Sequence, residues 1–145
     1  MNYGAGYAYR QHLVEGASPV GLVVLLYGTI VASLLRAQEA VKQGNIEKRV
    51  NETNHVLAVI GQLQGTLDHK RGGDVAVQLD NFYNVMRARV LEASIKSSKE
   101  ILGELIQHFT TLKEAWQQVE RETQNPTGVP MNSVGTTAAQ ASASY

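Results

Sequence analysis

The stretch SPVGLVVLLYGTIV, from Ser18 to Val31, decides the fold of this chain. Ser18 is a residue type that caps helix starts by accepting a hydrogen bond from a first-turn amide. Pro19 suits the first helical position, because no N–H donor is needed there. No charged side chain follows until Arg36. An ordinary surface helix is apolar along one stripe, whereas this one is apolar around most of its circumference. The stretch therefore predicts a helix that is central in its domain or keeps one side for a partner.

A membrane span is the alternative interpretation of the same stretch. The uncharged run from Pro19 to Leu35 would reach about 25 Å as a helix, short of the roughly 30 Å of a hydrocarbon core. Only Arg36 flanks it closely, whereas a basic cluster is typical of an oriented span. A cationic start and a small-residue cleavage site, which mark a signal peptide, are also missing. We therefore expect no membrane insertion and a cytoplasmic protein.

The composition narrows the possible classes of function. The chain has 145 residues, enough for one domain with a sizeable core. Its 13 basic residues balance its 13 acidic residues, which argues against a nucleic-acid partner because such binding depends on an excess of Lys and Arg. There is no cysteine, so disulfides, thiolate metal sites and cysteine nucleophiles are excluded.

Apolar periodicity and cap residues predict four helices. The first runs over 19–43, and the second runs from a cap at Asn45 to about 67. The third follows a polar loop at 68–74 and ends near 95. The fourth runs from a capping box at Ser97 and Glu100 to about 123. The predicted apolar stripe of the first helix is Val23, Leu26, Ile30, Leu34, Ala37 and Val41, and that of the second is Ile46, Val50, Leu57, Ile60 and Leu67, with Val56, Val59 and Leu63 beside it. The stripe of the third helix is Ala76, Leu79, Tyr83, Met86, Val90 and Ala93. The stripe of the fourth helix is Ile101, Leu105, Phe109, Leu112, Trp116 and Val119.

Four helices of similar length with short connections predict an all-α, antiparallel four-helix bundle over 18–123. Before it, residues 1–17 hold three tyrosines and Leu13, which suit a segment that packs on the bundle better than a solvated terminus. After it, residues 124–145 are rich in Thr, Ser, Gly, Ala and Gln and carry no charge, which predicts a disordered tail.

No pattern of catalytic or metal-binding residues is present. The four histidines lack partners at a ligand spacing such as H-E-x-x-H, and the Gly72-Gly73 pair lacks the spacing of a phosphate-binding loop. We therefore expect no enzyme activity, no metal and no cofactor. Apolar surface is what remains, and composition alone leaves open whether it fills the core or forms a groove for a partner helix.

Three blocks of residues resemble the flagellar secretion chaperone family FliS, in the family's order and over about 9–120. The first block is Tyr9, Gln11, Val14, Ala17, Ser18, Pro19, Leu22, Leu25, Leu26 and Tyr27. The second is Leu67, Asp68, Gly72, Gly73, Ala76, Leu79, Tyr83, Met86, Leu91 and Ala93. The third is Leu112, Ala115 and Trp116. The chain departs from the family at Gly28 and Thr29, where an acidic residue and then glycine are usual.

The resemblance implies a cytoplasmic chaperone that holds the carboxy-terminal helical segment of flagellin, blocks its polymerisation and presents it to the flagellar type III export apparatus, whose gate is a further candidate partner. On this hypothesis the amino-terminal segment covers an apolar groove until flagellin displaces it. Leu26, Met86 and Trp116 are expected in the core, since their stripes point inward. The candidate partner-binding residues are Tyr9, Leu13, Val14, Leu22, Leu25, Tyr27, Leu79 and Tyr83.

Two other functions remain open from the sequence. A generic helical adaptor or regulatory binding protein would use the same groove for a different partner. A peripheral membrane protein would use the first helix at a lipid surface.

Overall fold

The computed structural model describes residues 19–124, which form four helices and no strand within that range. The helices are α1 Pro19–Gln43, α2 Ile46–Gly65, α3 His69–Lys96 and α4 Lys99–Gln124. The all-α four-helix bundle is confirmed. The predicted cap at Ser18, the amino-terminal segment and residues 125–145 of the predicted tail lie outside the described residues.

The four helices pack as a ring around one core. α1 packs most closely against α2 and α4, and α3 packs against the same two neighbours, so α1 and α3 face each other diagonally. The connections are only a few residues long, which makes successive helices antiparallel. Most of the largest fully buried side chains come from α1, α2 and α4: Tyr27, Ile30, Leu34, Ile60, Leu63, Leu102, Leu105, Phe109 and Leu112.

The turn between α1 and α2 forms as the sequence predicts. Gly44 has a φ of +69°, a left-handed conformation that glycine adopts without a Cβ penalty. The backbone N–H of Asn45 then donates to the carbonyl of Ala40 over 2.8 Å. The Asn45 side chain accepts a hydrogen bond from the backbone N–H of Lys48 over 3.0 Å, so it is the cap of α2.

The predicted apolar stripe of α2 is wrong at its beginning. Ile46 is 65% exposed and Val50 is 36% exposed. The buried face instead comprises Thr53, Val56, Val59, Ile60 and Leu63. Thr53 can be buried because its hydroxyl is paired with the carbonyl of Arg49 and with the hydroxyl of Ser94 in α3. The denser apolar run at 56–63 therefore sets the rotation of the helix, and the first turn is left in solvent.

The predicted polar loop at 68–74 is largely helical. Asp68 is a cap, since its side chain accepts hydrogen bonds of 3.1 Å from the backbone N–H groups of Lys70 and Arg71. One helical turn follows, and Gly73 then breaks the regular backbone with φ 51° and ψ −126°. This conformation is open to glycine and costly for other residues. α3 therefore begins at His69, six residues earlier than predicted, and is kinked at Gly73.

The capping box predicted at Ser97 and Glu100 is wrong: α4 has a single serine cap one residue later, followed by Ile101 where a box would need Glu or Gln. Ser98, and not Ser97, accepts a hydrogen bond from the backbone N–H of Ile101 over 3.1 Å. Ser97 instead ends α3 in a left-handed conformation with φ 50°. Two adjacent serines divide the tasks of ending one helix and starting the next, which a spacing rule based on one serine does not anticipate.

Candidate functional site

An apolar cavity of about 350 Å³ lies at the end of the bundle where α1 begins, α2 ends and α3 begins. Side chains from α1, α3 and α4 form its wall together with the connection between α2 and α3. Its apolar lining residues are Pro19, Val20, Leu22, Val23, Leu67, Val75, Ala76, Leu79 and Trp116. A cavity of this size and lining suits apolar side chains of a ligand or partner.

Local sequence features place the α3 side of this cavity. The Asp68 cap and the Gly73 kink hold the first turn of α3 beside the start of α1, and Asp68 and Gly72 both line the cavity. A Cβ atom on Gly72 would lie 2.9 Å from the Cβ atom of Ala76, closer than real contacts allow. Glycine is therefore required at position 72 for this wall to pack as it does.

Tyr83 and Tyr27 form a polar pair next to the apolar lining. Their hydroxyl oxygens lie 2.6 Å apart, joining α3 to α1 across the core. Burial raises the pKa of Tyr83 to about 12 and raises the pKa of Tyr27 well above its usual value. The neighbouring Trp116 indole lowers the pKa of Tyr27 by a smaller amount, and its N–H makes no hydrogen bond within the described residues.

The structure brings three of the candidate partner-binding residues together at the cavity, namely Leu22, Leu79 and Tyr83. Leu25 is half-buried and lies outside the lining. Tyr27 has no exposed surface, so in this structure it cannot contact a partner directly. It instead forms a hydrogen bond with the Tyr83 hydroxyl. Tyr9, Leu13 and Val14 lie outside the described residues.

The expected core assignments of Leu26, Met86 and Trp116 agree with the packing. Met86 is 4% exposed, while Leu26 and Trp116 are partly buried and pack against the core. Trp116 also lines the cavity, which the sequence analysis did not anticipate. The sequence did hold a hint of this position. Trp116 lies in the last full turns of the apolar stripe of α4, and these turns are close to the end of the bundle where α1 begins.

Two features of residues 19–124 bear on the alternative functions. No group of three or more His, Cys, Asp or Glu side chains among them is placed to hold a metal ion. α1 is long and apolar enough to cross a membrane by length and composition alone, and 39% of its most apolar stretch is buried inside the bundle. Core helices of non-membrane proteins share these properties, so this observation supports a membrane role only weakly.

Comparison with known proteins gives a consistent result. The family model described as flagellar protein FliS matches residues 1–123. A flagellar secretion chaperone FliS of Vibrio cholerae is 30% identical over 128 residues, covering 86% of this chain and 94% of the relative. The FliS of Campylobacter jejuni is 31% identical over 112 residues, covering 77% of this chain and 88% of the relative. The FliS of Salmonella typhimurium is 28% identical over 117 residues, covering 77% of this chain and 87% of the relative.

Proposed function

The chain belongs to the FliS family of flagellar secretion chaperones, and from this membership we propose that it binds the carboxy-terminal helical segment of flagellin in the cytoplasm. It thereby keeps flagellin from polymerising and delivers it to the type III export apparatus, with the export gate as a further partner. The observation that supports this proposal most directly is the cavity of about 350 Å³, whose wall is largely aliphatic and aromatic.

The cavity suits an amphipathic client helix for an energetic reason. Each fully buried Val, Leu, Ile, Phe or Met side chain contributes about 1.5–3 kcal/mol relative to exposure in water. A client segment that is disordered when free must offset the entropy lost on ordering, so it needs several such anchors. Leu22 and Leu79 line the cavity from α1 and α3, and Leu25 offers a further apolar contact on α1.

The amino-terminal segment is the proposed competitor of the client. Pro19, the first described residue, lines the cavity, and residues 1–18 precede it in the chain. We propose that Tyr9, Leu13 and Val14 cover the cavity in the free protein and leave it when flagellin binds. Deleting residues 1–16 is then expected to expose the apolar lining and increase binding of a hydrophobic dye. Unchanged dye fluorescence would contradict a covering role.

The proposed client is tested with the purified chain and its cognate flagellin. We expect a 1:1 complex in size-exclusion chromatography and slower flagellin polymerisation. Leu22→Asp is expected to weaken the complex at least tenfold, because a carboxylate would enter an apolar wall. Leu35→Asp is the matched control, since Leu35 lies on the same helix, is 50% exposed and does not line the cavity. Absence of a complex and undisturbed polymerisation would refute the assignment.

The membrane alternative is supported only by the length and apolar composition of α1. Flotation with lipid vesicles tests it without flagellin. The chaperone proposal expects the chain to stay with the non-floating fraction, because α1 is the helix that packs most closely against both of its neighbours. Recovery of most of the protein with the vesicles would favour the alternative.

A further inference from the structure

The outer face of α3, on the side away from the core, carries apolar side chains where a surface helix is normally polar. Six exposed residues recur along it in alternating steps of four and three and are termed the α3 seam: Val77, Asn81, Asn84, Ala88, Leu91 and Ile95. Ile95 is 81% exposed, and Val77 and Leu91 are about half exposed. The buried residues of α3 lie on the opposite side of the helix. Steps of four and three are the spacing at which two helices pair along their length.

Apolar side chains of α2 extend this face at one end. The Thr53 hydroxyl of α2 donates to Ser94 of α3 over 3.0 Å, so the first turns of α2 lie beside the last turns of α3. Ile46 and Val50, both exposed, therefore lie at the same end of the bundle as Ile95. Of the large apolar side chains that are exposed within residues 19–124, all but one belong to α2 or α3. The exposed apolar surface is thus concentrated on the side formed by these two helices.

The extent of this face is of the order that a dimer needs. The seam runs over 77–95 and is about 27 Å long at the helical rise of about 1.5 Å per residue. Two adjacent helices are about 20 Å wide, which gives a flat footprint of about 500 Å² before the relief of the side chains is added. A stable interface buries about 800 Å² on each partner, and contiguous apolar patches of more than a few hundred Å² mark interaction sites.

The residues of the seam favour a second copy of this chain as the occupant. In heptad notation Asn81 and Ile95 occupy position a, and Leu91 occupies position d. A β-branched residue at position a with Leu at position d favours two parallel helices, and Asn at position a fixes their register. In a parallel pair Asn81 faces Asn81 of the second copy, and each side-chain amide offers both a donor and an acceptor to the other.

The charges beside the seam favour the same parallel arrangement. Arg87 and Glu92 lie five positions apart on its two flanks, so Arg87 of one copy faces Glu92 of the other. An antiparallel pair with aligned seams would instead bring the two Arg87 side chains together at its centre. Arg87 uses one N–H on the carbonyl of Leu57, over 3.1 Å, and has further donors. Glu92 accepts from Arg89 and Lys96, and a carboxylate has capacity for another donor.

From these observations we propose that the chain forms a two-fold symmetric dimer in which α3 pairs in parallel with α3 of a second copy along the seam. The net charge of zero sets no long-range repulsion against this association. None of the seam residues lines the cavity, which lies on the core side of α3. Each copy therefore keeps its own cavity open to a client, and the dimer does not depend on the function proposed above.

The mass of the full chain in solution, measured without flagellin by sedimentation equilibrium from about 1 µM to about 100 µM, tests the proposal. A dimer is expected, and Ile95→Lys is expected to weaken it at least tenfold, because it brings a charge into an apolar seam. Leu35→Lys is the matched control, since Leu35 is an exposed apolar residue of α1. A monomer throughout, or a dimer that Ile95→Lys leaves intact, would overturn the proposal. So would a monomer whose Ile95→Lys variant binds flagellin less well, because the face would then belong to the client.

Disulfide cross-linking tests the parallel arrangement. The chain has no cysteine, so a single introduced cysteine reports only its own neighbour. Ala88→Cys is expected to form a disulfide-linked dimer on mild oxidation, because position 88 faces itself in a parallel pair. Lys96→Cys is the control, since it is exposed on α3 beside the seam and points away from the second copy. Cross-linking of Ala88→Cys with Asn84→Cys, but not with itself, would show an antiparallel pair and overturn the arrangement.

Discussion

The ring centroids of Tyr27 in α1 and Phe109 in α4 lie 5.8 Å apart, with 48° between the ring planes. Phe109 also lies 6.4 Å from Phe82 of α3, so one side chain of α4 joins aromatic rings of both diagonal helices. Tilted pairs of this kind add to the stabilisation that comes from burial alone. Phe109 is fully buried and is the side chain through which α1, α3 and α4 meet.

We predict that Phe109→Ala lowers the free energy of unfolding by about 3–5 kcal/mol, because it removes a buried ring and leaves a cavity between three helices. Urea denaturation followed by circular dichroism measures the change. Val85→Ala is the control, since Val85 is 56% exposed on α3 and its truncation is expected to change stability by less than about 0.5 kcal/mol. A loss below about 1 kcal/mol for Phe109→Ala would contradict this view of the core.

A second prediction concerns Gly73. Gly73→Ala is expected to destabilise the fold by about 1–3 kcal/mol, because φ 51° with ψ −126° is strained for a residue with a Cβ atom. The space around a Cβ atom there is open, so any loss reports backbone conformation and not a clash. Thermal and urea unfolding of the variant measure it.

Gly65 offers the matched comparison for that measurement. It is the last residue of α2, has no positive φ and has nothing within 4 Å of a Cβ atom. Gly65→Ala is therefore expected to stabilise the fold by about 0.5 kcal/mol, since alanine is the better helix residue. The same sign for both substitutions would show that the kink at Gly73 is not a constraint in solution.

A third prediction uses two of the helix caps whose side chains accept first-turn hydrogen bonds, Asn45 and Asp68. Replacing either by Ala is expected to lower stability by about 1 kcal/mol. Only Asp68 and its first turn line the cavity. Asp68→Ala should therefore weaken flagellin binding, while Asn45→Ala should leave the affinity unchanged. If the two variants lose the same stability and bind flagellin with the same affinity, the first turn of α3 does not contribute to binding.

Sequence periodicity succeeded where one apolar stripe was unambiguous. All six residues of the predicted α3 stripe, from Ala76 to Ala93, are buried. It failed in α2, where two neighbouring stripes compete and the choice depends on whether Thr53 finds partners in its own helix and in α3. A hydroxyl pair between two helices is a tertiary property, so the pattern within one helix does not report it.

The candidate site was predicted only in part, for a similar reason. Tyr27 and Tyr83 are the same residue type on opposite helices and both are buried, yet only Tyr83 also lines the cavity. The sequence offers no asymmetry between them. The difference follows from the neighbours that the fold supplies, chiefly Phe109 against the Tyr27 ring and the cavity beside Tyr83.

A final prediction concerns alkaline pH. Burial raises the pKa of Tyr83 to about 12 from an ordinary value of 10.0, and it also raises the pKa of Tyr27 well above its ordinary value. In the unfolded chain these hydroxyls lose their protons near pH 10, while in the folded chain they keep them. Above pH 10 the unfolded state therefore binds fewer protons, and the free energy of unfolding must fall as pH rises toward 12.

For Tyr83 alone this loss amounts to about 2 kcal/mol across that interval. Urea midpoints measured at several pH values from about 9 to about 11.5 give the slope. Tyr83→Phe is the comparison, because it removes one of the two buried hydroxyl protons and leaves every other ionisable side chain of the chain in place. Its stability should fall less steeply with pH than that of the original chain. Parallel slopes would mean that Tyr83 is solvated in the folded protein, and the buried pair with Tyr27 would then be absent in solution.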